Sequence, residues 1–421
     1  MQRIVGPARI LIRHRGLMGL LGCSLLMGLA SSFVAPFLSM FGTIEVRMSA
    51  IVFGVFMTVT SLSAIALSTL LARWSDTGAS RRTMLLLGTV SGLLGYVGYA
   101  FVRDAVWLTV IGSVLLGISS VTFSQVFAYA REMLARSEVP PRDVPLFINV
   151  YRLLFSLAWT AGPAVASWLM LRYSYRGTFL GAAFFFLLLL AVILALVPDA
   201  PALARNSPEA RAPLREIFTR PGLLAYFAGF VLLFTCTSIN MMNLPLLVLQ
   251  TLGGTVRHVG IVFSVAPVFE LPFMFYFGLL ASRGDQGRLI RAAAVAAIVY
   301  FALLALVGAP WHIYPVQILS AAITAVIAGV AITFFQNFLP EQVGTATNLY
   351  ANAMRIGSTT GYLLFGVLAS TLSHRLILVA CALLSATAAA IMFWSRFGPL
   401  PAPVGVANPA GAAVATQPVG P

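Results

Sequence analysis

The chain has 421 residues, 60% of them hydrophobic and 9% charged, with a formal net charge of +14 and a mean hydropathy of +0.95. That usage excludes a soluble globular domain, and with it a nucleic-acid-binding module, which needs a soluble basic surface. Every basic residue is Arg, and the three cysteines (Cys23, Cys236, Cys381) lie inside apolar segments, too scattered for a disulfide framework or a metal site.

A bilayer core of ~30 Å takes roughly 20 apolar residues per helix. The apolar runs are continuous and lack the period-two alternation of a membrane barrel, so they predict helices. In chain order the spacing predicts helices over 16–38, 48–71, 83–101, 105–130, 144–171, 176–198, 222–248, 259–280, 288–308, 310–337, 345–371 and 375–397. Arg13-His14-Arg15 before the first run imitates a signal peptide, but the run is too long and more helices follow, so the first helix is read as retained. The expected fold class is an all-α membrane protein of twelve transmembrane helices in two six-helix pseudo-repeats. The expected organisation is a cytoplasmic N-terminus (1–15), a first bundle (16–198), a cytoplasmic linker (199–221), a second bundle (222–397) and a disordered cytoplasmic tail (398–421). With the N-terminus inside, 18 Arg fall on the inner side. Six fall opposite: Arg47, Arg103, Arg172, Arg176, Arg257 and Arg375. That asymmetry places both termini in the cytoplasm.

The halves echo each other. Asp76 follows the second helix and Asp285 the eighth, 209 positions apart, and Glu132 and Glu341 repeat the same offset. Arg152 of the fifth helix corresponds to Arg355 of the eleventh, 203 positions on. Two six-helix halves related by an axis along the membrane normal are a transporter architecture.

Three formal charges interrupt the apolar segments at depth: Arg152, Glu270 and Arg355. An ionised group in hydrocarbon persists where it faces a cavity or a partner. Counted from the inner helix ends, the three are expected at one level. Asn149, Arg152, Ser156 and Thr160 fall on one face of their helix, as do Asn348, Asn352, Arg355 and Thr359 on theirs. The two stripes predict a wet central cavity, with hydrogen-bonded helix packing as the alternative. Glu270, between Pro267 and Pro272, is expected where its helix is broken. It is read either as a carboxyl toggled by a proton or a substrate, or as one side of a static ion pair with the Arg residues. Asn240, Asn243, Gln125 and Gln336 add amides, and amides with Arg suit the hydroxyls of a polyol or sugar better than a lipophilic cation. No nucleotide-binding GxxxxGK[ST] run and no HExxH occurs, so neither ATP-driven pumping nor another catalytic reading is expected, and no cofactor or metal.

The doubled Asp76 and Asp285 loops, the first followed by Arg81-Arg82, resemble the signature of the major facilitator superfamily, with Ser75-Asp76-Thr77 as a departure. Within it, Ala35-Pro36-Phe37-Leu38-Ser39, the run Gln125 to Glu132, Leu157 to Pro163, Ile239 to Pro245, Glu270-Leu271-Pro272 and the stretch from Phe335 to Gly357 resemble the bacterial sugar efflux transporter family. The resemblance implies a monomeric multi-pass protein of the bacterial inner membrane that exports sugars or small glycosides by proton antiport with alternating access. A proton-coupled exporter of drugs or amphipathic metabolites is the alternative, and a non-transporting receptor on the same scaffold a third. By position, Asp76, Arg81, Arg82, Arg131, Glu132 and Asp285 would form a cytoplasmic gate, and Arg152, Glu270 and Arg355 a central site.

Overall fold

The computed structural model describes residues 14–76, 80–137, 139, 144–199, 221–339 and 342–395. The expectations for the N-terminal segment before residue 14, the linker 200–220, Glu341 and the tail beyond Ser395 lie outside the described residues.

Twelve long helices account for the described chain, with no strand among the described residues. They are α1 Arg15–Glu45, α2 Ala50–Asp76, α3 Arg81–Phe101, α4 Ala105–Ala135, α5 144–172, α6 175–196, α7 Gly222–Thr251, α8 Val256–Arg283, α9 Gln286–Leu306, α10 Pro310–Phe338, α11 Val343–Thr371 and α12 His374–Trp394. α5 and α6 form one run, Val144–Leu196, broken at Tyr173 and Ser174, where Ser174 has φ 54°. Among the described residues, ten runs are long and apolar enough to cross a membrane, one of them holding both α5 and α6. α11 is 29 residues long and more polar, because it carries the Asn348–Arg355 stripe. Exposed tryptophans mark the helix ends: Trp107 and Trp311 at one face, Trp74 and Trp394 at the other. Tryptophans at these levels are the anchors expected at the two membrane–water interfaces. The face where α1 begins and α12 ends is called the terminal face, and its opposite the far face.

Local chemistry sets the helix starts. The carboxylate of Asp104 accepts from the backbone N–H groups of Val106 and Trp107 at the start of α4, and Ser80, Asp285 and Ser373 cap α3, α9 and α12. Each side-chain oxygen satisfies an N–H that has no intrahelical acceptor. α1 runs seven residues past its expected end, since a short 3-10 turn, Ala35–Phe37, absorbs Pro36. α8 is continuous through Pro267 and Pro272, which corrects the expectation of a broken helix around Glu270. Each proline removes one N–H, and neighbouring helices accommodate the freed carbonyl in a membrane bundle.

The repeat is visible in irregularities as well as in helix count. π-turns occupy Phe41–Glu45 of α1 and Leu247–Thr251 of α7, and again Gly112–Leu116 of α4 and Ala325–Val330 of α10. In each half one inner pair is drawn close by small residues. Gly28 of α1 lies where a Cβ would stand 2.5 Å from the carbonyl oxygen of Phe155 on α5. Gly357 and Gly361 of α11 meet the carbonyls of Val231 and Thr235 on α7 at 2.6 and 2.7 Å in the same sense. Without a hydrophobic drive between helices in lipid, such backbone approach supplies the packing.

The halves meet near the far face. A Cβ on Gly54 of α2 would stand 2.7 Å from Cα of Gly366 on α11, and the Phe53 and Phe365 rings meet edge to face at 6.2 Å. Deeper along the same pair, the hydroxyls of Ser61 and Thr359 are hydrogen-bonded at 3.0 Å. α5 and α8 close the other seam, where the backbone N–H of Ala164 donates to Ser264 Oγ at 3.2 Å and Gly260 lies against Pro163 and Ser167. The end of α1 packs on α7. Toward the terminal face these seams end, and the polar faces of α5 and α11 are exposed. The contacts named here close the far face, and the exposed polar stripes point to an opening at the terminal face.

Candidate functional site

α5 and α11 carry their polar stripes as helical periodicity requires. Asn149 and Arg152 on α5 and Asn348, Asn352 and Arg355 on α11 are all exposed. Farther along, the stripes turn inward: Thr160 Oγ1 is buried, and Thr359 closes the seam against Ser61. One helix face is therefore exposed at the terminal side and an interface at the far side. Arg152 on α5 lies within electrostatic reach of Tyr350 on α11, across the two halves. Tyr350 in turn donates to the carbonyl of Ile327, inside the π-turn of α10, at 3.1 Å.

Glu270 on α8 is half-buried. The three deep charges form no ion pair with one another among the described residues. The static-pair expectation is therefore not met in this conformation. Counted from the observed helix ends, their positions also differ. Arg152 lies 8 residues from the terminal end of α5, Arg355 12 from that of α11 and Glu270 13 from that of α8. At 1.5 Å rise these depths are about 12, 18 and 20 Å. The difference arises because α8 extends three residues beyond its expected terminal end and α11 begins two residues earlier.

The remaining amides are engaged within the bundles. Asn240 Nδ2 donates to Tyr300 Oη at 3.0 Å, joining α7 to α9. Asn243 is fully buried; its Nδ2 donates to the carbonyl of His374 at 3.0 Å, and its Oδ1 lies 2.8 Å from His374 Nδ1. Gln336 Nε2 donates to Thr347 Oγ1 at 3.0 Å. Gln125 accepts from Arg81 Nη1 at 3.1 Å. These four hold helices together in this conformation.

At the terminal side each half holds its own charged clamp. Arg81 at the start of α3 reaches Glu132 Oε1 on α4 through Nη2 at 2.8 Å and Nε at 3.0 Å, and both side chains are largely buried. Glu132 Oε2 is buried and has no hydrogen-bond partner among the described residues. Arg82 donates to the carbonyl of Leu194 at 3.1 Å, and Arg131 is exposed. In the second half Asp285 caps α9 and faces Arg288 at 3.4 Å and Arg291 at 3.7 Å, while Arg291 donates to Tyr226 Oη at 2.9 Å. The side chain of Asp76 lies outside the described residues. Removing one partner of a buried pair strands the other charge, at a cost of about 3 kcal/mol. Arg81→Ala is therefore expected to lower the unfolding temperature in detergent clearly, and an Arg81→Met, Glu132→Leu double variant to recover most of the loss. Equal destabilisation of the single and double variants would contradict this account.

Sequence reasoning missed the tyrosines. Tyr226, Tyr300 and Tyr350 each bond a hydroxyl across helices. The available signal was the choice of Tyr over Phe in a chain with 12 Tyr and 30 Phe, because a buried phenol needs a partner. Beyond the Ser61–Thr359 bond lies a cavity of about 290 Å³, lined from α1 to α4 and by Tyr362 of α11; none of the expected site residues lines it.

Comparison with known proteins agrees with this architecture. Residues 20–358 match the family model of the Major Facilitator Superfamily. A relative from Deinococcus radiodurans is 34% identical over 91% of this chain and 98% of its own. Sugar efflux transporter A of Dickeya chrysanthemi is 31% identical over 88% of this chain and 92% of its own. The crystal structure of a point mutant of the nucleoside transporter NupG superposes with a TM-score of 0.77 at 15% identity, over 90% of this chain and 99% of that one. The chain is thus a multi-pass membrane transporter rather than an enzyme, and it belongs to the major facilitator superfamily, within the family of bacterial sugar efflux transporters.

Proposed function

We propose that this protein exports sugars or small glycosides from the bacterial cytoplasm by proton antiport, through alternating access of one site between its halves. The terminal face is then cytoplasmic, the membrane is the inner membrane, and the conformation described is the one that receives substrate. What supports the reading is that Arg152 on one half and Arg355 on the other are both exposed along the polar stripes, and that Glu270 has no ion pair among the described residues. Guanidinium groups and amides donate several hydrogen bonds each, which fits hydroxyl-rich neutral solutes. A carboxyl without a fixed cation is free to exchange a proton as the substrate comes and goes. The likeness to transporters named for sugar efflux supports the substrate class. The protein is read as acting as a monomer, with the proton as co-substrate and the lipid bilayer as solvent.

Competition separates this reading from multidrug export. In proteoliposomes, excess unlabelled sugar is expected to suppress labelled lactose flux, while tetraphenylphosphonium leaves it unchanged. Suppression by the cation alone would overturn the sugar assignment in favour of amphipathic substrates.

A further inference from the structure

We infer that the cavity beyond the Ser61–Thr359 bond is a subsite for one pyranose ring of the transported sugar; this rests on the reading of the chain as a sugar transporter. Its location is the first argument. It lies on the far-face side of the level of Arg152, where the opening from the terminal face ends and the seam between halves begins. α1 to α4 supply most of its wall and Tyr362 of α11 the rest. A ligand held there touches both halves at the point where they separate.

Its chemistry is the second argument. No charged side chain lines it, so the ligand is neutral. Its polar groups are hydroxyls. Those of Ser31, Tyr96, Tyr99 and Tyr362 have no hydrogen-bond partner among the described residues, and none of them is sealed from a water-sized probe. Tyr96 and Tyr99 stand three residues apart, on one face of α3. Thr60 donates to the carbonyl of Phe56 at 2.9 Å or Met57 at 3.0 Å, which leaves its oxygen free to accept. Phenols within a membrane bundle are costly without partners, and a ring of alternating donors and acceptors supplies them. The remaining wall is apolar, including Leu38, Phe56 and Met57, which suits the C–H faces of a sugar ring.

Its size is the third argument. A cavity of about 290 Å³ leaves room for one hexopyranose ring. A disaccharide would place one ring here and the other at the level of the Arg stripes.

The test is lactose counterflow in proteoliposomes, with the Tyr99→Phe, Tyr362→Phe double variant beside the native protein. The substitutions keep both rings and remove only the hydroxyls. The expected result is a KM raised about tenfold at unchanged maximal rate, the loss of two hydrogen bonds to a neutral ligand. Thermal unfolding without sugar should match the native protein, and the lactose concentration needed to stabilise it should rise about tenfold. A KM within about twofold of native, or a loss confined to the maximal rate, would overturn the subsite while leaving sugar transport intact. Absence of lactose counterflow in the native protein would instead overturn the functional reading on which the subsite rests.

Discussion

Glu270→Gln is expected to abolish lactose movement driven by a pH gradient while sparing lactose exchange at equal pH. A carboxyl binds and releases a proton; a carboxamide of the same shape does neither. Net antiport needs that exchange once per cycle, whereas sugar-for-sugar exchange needs only the return of the loaded site. Glu270 is the one acid at depth among the described helices, half-buried and without an ion pair. An ionisable residue at such depth is costly unless it serves the transport path. Gradient-driven flux should fall at least about tenfold and exchange stay within about threefold, a split a merely structural residue would not give. Loss of both in equal measure would make Glu270 a substrate or structural residue. Retention of both would remove it from the mechanism.

Gly54→Val is expected to open the far face. The added carbon would meet the Gly366 Cα at 2.7 Å and the Tyr362 carbonyl at 3.0 Å; from the other side, a carbon on Gly366 would meet the Gly54 Cα at 2.8 Å. All of these obstacles are backbone, so no side chain can rotate aside and α2 must leave α11. Overpacking of this kind costs about 1–3 kcal/mol. Since 1.4 kcal/mol is tenfold in population, the terminal-open conformation should become roughly ten to a hundred times scarcer relative to its competitor. Asn352→Cys reports this directly, because Asn352 is exposed on the terminal side and Cys23, Cys236 and Cys381 are buried. Its maleimide labelling should slow by about tenfold in the Gly54→Val background, with lactose flux falling in parallel. Unchanged labelling and flux would mean that the Gly54–Gly366 contact does not hold the far face shut.

The fold was legible because hydrocarbon leaves few options: twenty apolar residues, repeated, can only be helices. The stripes on α5 and α11 were legible for the same reason, since a period of 3.6 shows in one segment alone. Asn149, Arg152, Asn348, Asn352 and Arg355 are all exposed toward the terminal side. Asn240 and Asn243 gave an equally strong signal, yet their partners are Tyr300 and His374, 60 and 131 residues away. Local sequence does not encode which distant side chain an amide will meet. Glu270 was placed at depth, but its helix is not broken, because α8 accommodates both prolines, and of its two readings the static ion pair is not formed among the described residues. The π-turns were invisible, since no residue type demands them. Likewise the cavity at Tyr96, Tyr99 and Tyr362 assembles from helices far apart in the chain, and nothing within one segment announces it.

The central claim is proton-coupled sugar movement, and one measurement addresses it most directly. Purified protein in liposomes should move labelled lactose against its gradient when a pH gradient is imposed, and a protonophore should collapse that movement to the level of protein-free liposomes. Lactose flux that ignores both the gradient and the protonophore would contradict antiport. No flux from protein verified as folded would contradict the sugar assignment itself.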